Sequence, residues 1–128
     1  MGAKSKVKRR QQEDAESEPP PGFEGDISNF LAWVQLEKGL AKNTVTSYEN
    51  DLVQCTLYLN GQGVSCWQDV ELNHLSSWLG SLTEKKYAVA SLSRKLSAVR
   101  MLAKYLMGEG ILKDDFTELL PNPKKQRH

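Results

Sequence analysis

Apolar residues recur at three- and four-residue spacing through most of the chain beyond residue 25, a period that predicts helices. Leu92, Leu96, Val99, Ala103 and Leu106 make the clearest stripe, on a helix running from about Val89 or Ser91 to Met107 and ended by Gly108 and Gly110. A first helix is expected from about Asp26, as N-cap, to Lys38. Ile27, Phe30, Leu31 and Val34 are its inner side, and Gly39 is a left-handed stop. A second runs from Asn43, as N-cap, to about Asn60. Val45, Tyr48, Leu52, Cys55 and Leu59 face inward, while Val53 and Leu57 fall on its outer face. A third starts near Asn73 and uses Leu75, Trp78, Leu79 and Leu82. A short fifth helix is expected from Asp114 to Leu120, closed by Pro121 and Pro123. No stretch alternates convincingly as a strand, and Val64–Trp67 is at best an extended link. The pattern predicts an all-α fold, a compact bundle of four main helices plus a short C-terminal helix, with sequence neighbours paired as helical hairpins.

The ends are of different material. Residues 1–25 carry a basic block (Lys4, Lys6, Lys8, Arg9, Arg10), then acids (Glu13, Asp14, Glu16, Glu18), then Pro19-Pro20-Pro21-Gly22. With so little to bury, this segment is expected to be a disordered arm, a solubilising tail in preference to a loose DNA contact. Residues 26–120 are the helical domain, and 121–128 read as a basic linker.

Polar positions carry the functional signal. The net charge is only +1, yet Lys85–Gly108 holds six basic residues and no acid. At about 100° per residue, Ser93, Ser97, Arg100 and Lys104 share the face opposite the apolar stripe, with Arg94 and Met101 at its edge. Small hydroxyls allow close approach and cations neutralise phosphate, so this face suits a helix lying in a DNA groove. The second helix opens with Lys42-Asn43-Thr44-Val45-Thr46-Ser47, and Asn50 also points away from the stripe. Its free N-terminal amides suit a phosphate. The bland alternative is that both are ordinary solvated faces, with Arg100 in a surface ion pair to Glu71 or Glu84.

Enzyme chemistry finds no constellation. His74 and His128 have no ligand-spaced Cys, Asp or Glu, and two cysteines are too few for a zinc site. Cys55 reads as a buried reduced thiol. There is no phosphate loop or dinucleotide fingerprint, so no cofactor is expected. The serines at 91 and 93 lack a histidine partner. Asp114-Asp115 suit a helix cap better than a catalytic pair. Trp33, Trp67 and Trp78 are expected in core or interface packing in preference to base stacking. With no span-length apolar run and no signal peptide, a cytoplasmic, membrane-free setting is expected.

Three strings carry a family resemblance. Leu36–Leu52 (LEKGLAKNTVTSYENDL) closely resembles the opening motif of tyrosine recombinases of the Xer and phage-integrase type. Ser91–Leu106 (SLSRKLSAVRMLAKYL) resembles that family's second motif, and Val70–Leu79 (VELNHLSSWL) its middle helix. The resemblance covers roughly Asp26 to Lys125 and implies the family's SAM-like core-binding domain. That module grips one side of double-stranded DNA while a separate catalytic domain closes from the other. It implies that the second and fourth helices face the major groove, and that outer helices meet other recombinase protomers in a synapse. The nucleophilic tyrosine lies in the catalytic domain, so Tyr48, Tyr58, Tyr87 and Tyr105 do not take that role. The chain then resembles a fragment cut in the linker, monomeric when isolated and without catalysis of its own. Asp115-Phe116 stands where the family usually has Asn-Pro or Asp-Pro, and Ala90 where a small hydroxyl residue is frequent.

On this reading Arg94, Arg100 and Lys104 contact backbone phosphates, with Lys95 at the flank. Ser91, Ser93 and Ser97 approach closely and donate hydrogen bonds, and Lys42, Asn43, Thr44, Ser47 and Asn50 do the same from the second helix. Neutralising about four phosphates implies a slope of about −3.6 in log K against log salt. The competing reading is a helical protein-interaction module that docks through Leu57, Trp33 and Met101. Whether the biology is chromosome-dimer resolution or phage or transposon integration stays open here.

Overall fold

The computed structural model describes residues 18–122; the basic block, most of the acidic one and the terminal Pro123–His128 lie outside it. Four helices follow in order: α1 (Pro21–Leu36), α2 (Lys42–Gly61), α3 (Leu72–Glu84) and α4 (Val89–Gly108), with a 3-10 turn at Trp67–Asp69 between α2 and α3. No strand forms among the described residues.

The longest helices, α2 and α4, are the central pair. Each packs on the other and on both α1 and α3. Their contacts run in opposite senses: Asp51 meets Lys95, whereas Gln54, further along α2, meets Tyr87, which precedes α4. The apolar stripes expected from sequence fill the centre. Phe30, Val34, Leu52, Cys55, Leu59, Leu96, Val99 and Leu106 are fully or almost fully buried. Each large side chain so buried contributes roughly 1.5–3 kcal/mol. Trp67 and Trp78 are core residues, as expected. Trp67 meets Phe23 edge-on at 4.9 Å and stacks on Phe116 at 6.0 Å.

The stops share one device. Gly39, Gly63, Lys86 and Gly110 all have positive φ just past a helix end. In three of the four cases the residue that follows donates its amide five positions back: Val64 to Leu59, Tyr87 to Leu82 and Ile111 to Leu106. Lys86 takes this left-handed position despite its Cβ, at a cost of about 1 kcal/mol.

Several boundaries differ from the expectation. α1 begins at Pro21 rather than Asp26, because proline suits the first helical position and Phe23 has a core site to fill. Residues 21–25 are therefore helix, not arm, and a Cβ on Gly22 would collide with the Ser65 carbonyl. The N-cap of α2 is Ala41, with Asn43 inside the first turn. α3 starts at Leu72 on a reciprocal cap: the Glu71 carboxylate accepts the His74 amide, and His74 Nδ1 accepts the Glu71 amide at 3.0 Å. His74 is thus a capping residue. Val53 is buried, since α2 packs on three sides. The fifth helix does not form. Asp115 instead accepts the Thr117 amide at 2.8 Å, and the segment closes as a turn that buries Thr117 and Leu120. Among the described residues, no helix is long and apolar enough to cross a membrane.

Candidate nucleic-acid interface

Both helices expected to meet DNA start without a side-chain cap and without an acid in the first turn. By contrast, α1 carries Glu24 in its first turn and α3 is capped by Glu71. The N-termini of α2 and α4 therefore keep their partial positive charge unscreened by their own side chains.

On α2, Asn43, Ser47, Asn50 and Gln54 fall on one ridge by their spacing. Lys42, Asn43 and Asn50 are exposed, while Thr44 and Ser47 are half-buried. On α4, Arg94, Ser97 and Lys104 are exposed, and Ser91, Ser93 and Arg100 are half-buried. The buried arc is wider than the stripe, because Lys95, Ala98 and Leu102 join it. Ser91 sits across the helix from Ser93, so the three serines do not share a face.

The cations are not all free. Arg94 Nε and Nη2 donate to the two oxygens of Asp51 at 2.8 and 2.9 Å. This hydrogen-bonded carboxylate raises the Arg94 pKa above its ordinary value, with Asp51 charge adding to the effect against desolvation. Lys95, expected at the flank of a phosphate contact, lies inside: its Nζ reaches Asp51 at 2.9 Å and sits 5.2 Å from the Tyr87 ring centre. Asp51 is 1% exposed and Lys95 5%. Among the described residues, the ion pairs converge on this one carboxylate. Arg100 pairs with neither Glu71 nor Glu84. It donates to the Leu120 carbonyl and to Asn122 Oδ1, both at 2.6 Å, and so clips the segment after α4 onto that helix. One of its two hydrogen bonds goes to backbone, which gives the Leu120 carbonyl a partner.

The structure also supplies a cation that the sequence reading did not choose. A groove of about 510 Å³ between the end of α1 and the ridge of α4 is lined by Trp33, Lys38, Ser97, Arg100, Met101, Lys104, Tyr105 and Gly108, with Glu109 as its one acid. Lys38 lies over the Trp33 ring at 5.3 Å, and Trp33 packs on Tyr105 at 5.2 Å. Its signal in the sequence was only its place beside Gly39, four residues before Lys42. Trp33 and Met101 share this groove, but Leu57 is not part of its lining, so the three do not make one docking patch. Among the described residues, no group of three or more His, Cys, Asp or Glu could hold a metal ion.

The family described as phage integrase, N-terminal SAM-like domain, matches residues 27–110. Curated relatives agree. Tyrosine recombinase XerC of Roseiflexus castenholzii is 33% identical over 101 residues, which is 79% of this chain and 32% of that protein. Tyrosine recombinase XerD of Brucella suis is 37% identical over 101 residues, again 79% of this chain and 32% of the relative. XerC of Natranaerobius thermophilus is 35% identical over 103 residues, or 80% and 34%. The chain thus spans about a third of the length of these relatives. No solved structure matches.

Proposed function

We propose that this chain, which belongs to the phage integrase N-terminal SAM-like domain family, holds double-stranded DNA across the α2–α4 face as part of a site-specific tyrosine recombinase. The observation that carries the reading is the electrostatics of that face. Two acid-free, uncapped helix N-termini flank a ridge from which Arg94 and Lys104 project, and the carboxylate at its centre is buried and shared by two cations. Lys38, Lys42, Arg94 and Lys104 neutralise phosphates. Asn43, Ser47, Asn50, Ser93 and Ser97 supply short polar contacts, and the amides opening α2 and α4 bind phosphate oxygens. Arg100 acts from beneath by holding the Leu120–Asn122 segment beside the ridge. Base reading is modest and rests on Asn50, which suits an adenine edge, because the Gln54 amide is committed to the Tyr87 hydroxyl.

Strand exchange belongs to the longer protein of which the relatives are examples, in the Xer manner, with further protomers as partners. No tyrosine here takes the nucleophile's part. Tyr48 is buried, Tyr87 is held under Lys95 and accepts from Gln54, and Tyr105 packs against Phe30 and Trp33.

The test is a salt-titrated duplex-binding measurement. About four neutralised phosphates give a slope of about −3.6 in log K against log salt. Binding that ignores salt would sink the proposal.

A further inference from the structure

We propose that Lys95, too buried to touch a ligand, sets the charge that Arg94 presents at the α2–α4 face: by offsetting Asp51 from inside the bundle, it keeps Arg94 an effective cation toward a backbone phosphate. This inference rests on the DNA-binding reading and adds to it a positioning residue that exposure alone would dismiss.

The geometry separates two jobs. Asp51 Oδ2 takes Arg94 Nε, while Oδ1 takes both Arg94 Nη2 and Lys95 Nζ. A guanidinium has five N–H donors. Two are spent on Asp51, which fixes the plane of the group. The remaining three, on Nη1 and Nη2, belong to a side chain that is 45% exposed. A lone Arg–Asp pair is a neutral dipole and attracts a phosphate weakly. Here two cations share one carboxylate, so the cluster sums to +1, with Lys95 and Asp51 inside and Arg94 at the surface. Lys95 is itself held in place. The Tyr87 ring lies 5.2 Å from its ammonium, and the Tyr87 hydroxyl accepts from Gln54 of α2 at 3.0 Å. Without Lys95, Asp51 would still grip Arg94 and would cancel it.

The test uses the whole 128-residue chain and a labelled duplex, titrated over a salt series, with helical circular dichroism as the folding control. Lys95→Met should lose one counterion's worth of slope, about 0.9, and bind about eightfold more weakly at about 0.1 M salt. Arg94→Gln should lose the same slope. The double variant Asp51→Asn, Lys95→Met removes both buried charges, frees Arg94 and should recover the wild-type slope; a merely structural lysine predicts no such rescue. If Lys95→Met does not fold, Lys95→Gln, which keeps a donor for Asp51 without the charge, is judged by the same criteria. A folded lysine variant with wild-type slope, or a double variant that stays low, overturns the proposal. A flat salt response from the wild type refutes the DNA-binding reading itself and is recognised before any variant is compared.

Discussion

Asp51 accepts three charge-assisted hydrogen bonds at 2.8–2.9 Å from two adjacent side chains of α4 while 1% exposed, so its removal should be far costlier than the removal of either partner. In Asp51→Ala, Arg94 turns out to water and loses little. Lys95, 5% exposed, keeps its ammonium inside with no carboxylate to answer it. Breaking a buried pair in this way costs about 3–5 kcal/mol, a large share of the roughly 5–15 kcal/mol that holds a domain of this size together. With a urea m-value of about 1.5 kcal/mol per M, the midpoint should fall by roughly 2–3 M. Lys95→Met should cost about 1 kcal/mol or less. Its apolar stem is kept, Asp51 retains both bonds from Arg94, and replacing a buried charge by a well-packed apolar group is frequently near neutral. Urea unfolding followed by circular dichroism reads both numbers. A cost under about 1 kcal/mol for Asp51→Ala, or a lysine variant as costly as the aspartate one, would refute a buried three-way charge cluster.

Three further outcomes follow from other parts of the molecule. Arg100→Ala should leave α4 intact while amide exchange speeds up at Leu120, whose own carbonyl it holds and whose amide donates to Thr117; unchanged exchange there would show that the clip carries no weight. Burial raises the Asp26 carboxyl above its ordinary value, so the ionised form is the less stable one in the fold and the group's contribution is lost as pH rises through that raised value. Asp26→Asn should therefore melt higher than wild type at neutral pH and converge with it below the usual carboxylate range, and a lower melting point at neutral pH would contradict the sign. Burial pushes the Cys55 thiol up, whereas Cys66 is half-buried beside Asp69. A thiol reagent should label Cys66 quickly and Cys55 only at the rate of unfolding; two equally fast thiols would refute the packing of α2.

The helices were legible because a 3.6-residue period repeats its message every turn, and Leu92, Leu96, Val99, Ala103 and Leu106 all agree. What was hidden had no repetition to announce it. Asp51 was one acid on a helix, and its partners stand 43 and 44 positions away. Lys95 was read as a surface cation by type, although its neighbour Leu96 already faced the core. Arg100 was expected to point at phosphate, but it bonds to Leu120, the end of a segment expected to be helical, and to Asn122 in the expected linker. Lys86 ends α3 in a conformation usually left to glycine or asparagine, so no stop signal marked it. The start of α1 was lost in a proline- and acid-rich stretch where Phe23 is a lone aromatic with no stripe around it. The candidate interface was therefore readable as two faces, but not as a network that decides which of their cations are free.

The early start of α1 has a practical consequence for anyone shortening this protein. Phe23 is fully buried edge-on against Trp67 of the 3-10 turn, whose other neighbour is Phe116, and Gly22 passes so near the Ser65 carbonyl that no side chain fits. A truncation beginning at Asp26 would strip that plug and leave Trp67 with an empty socket on one side. A shortened chain should therefore keep Pro20, whose carbonyl already receives the Phe23 amide.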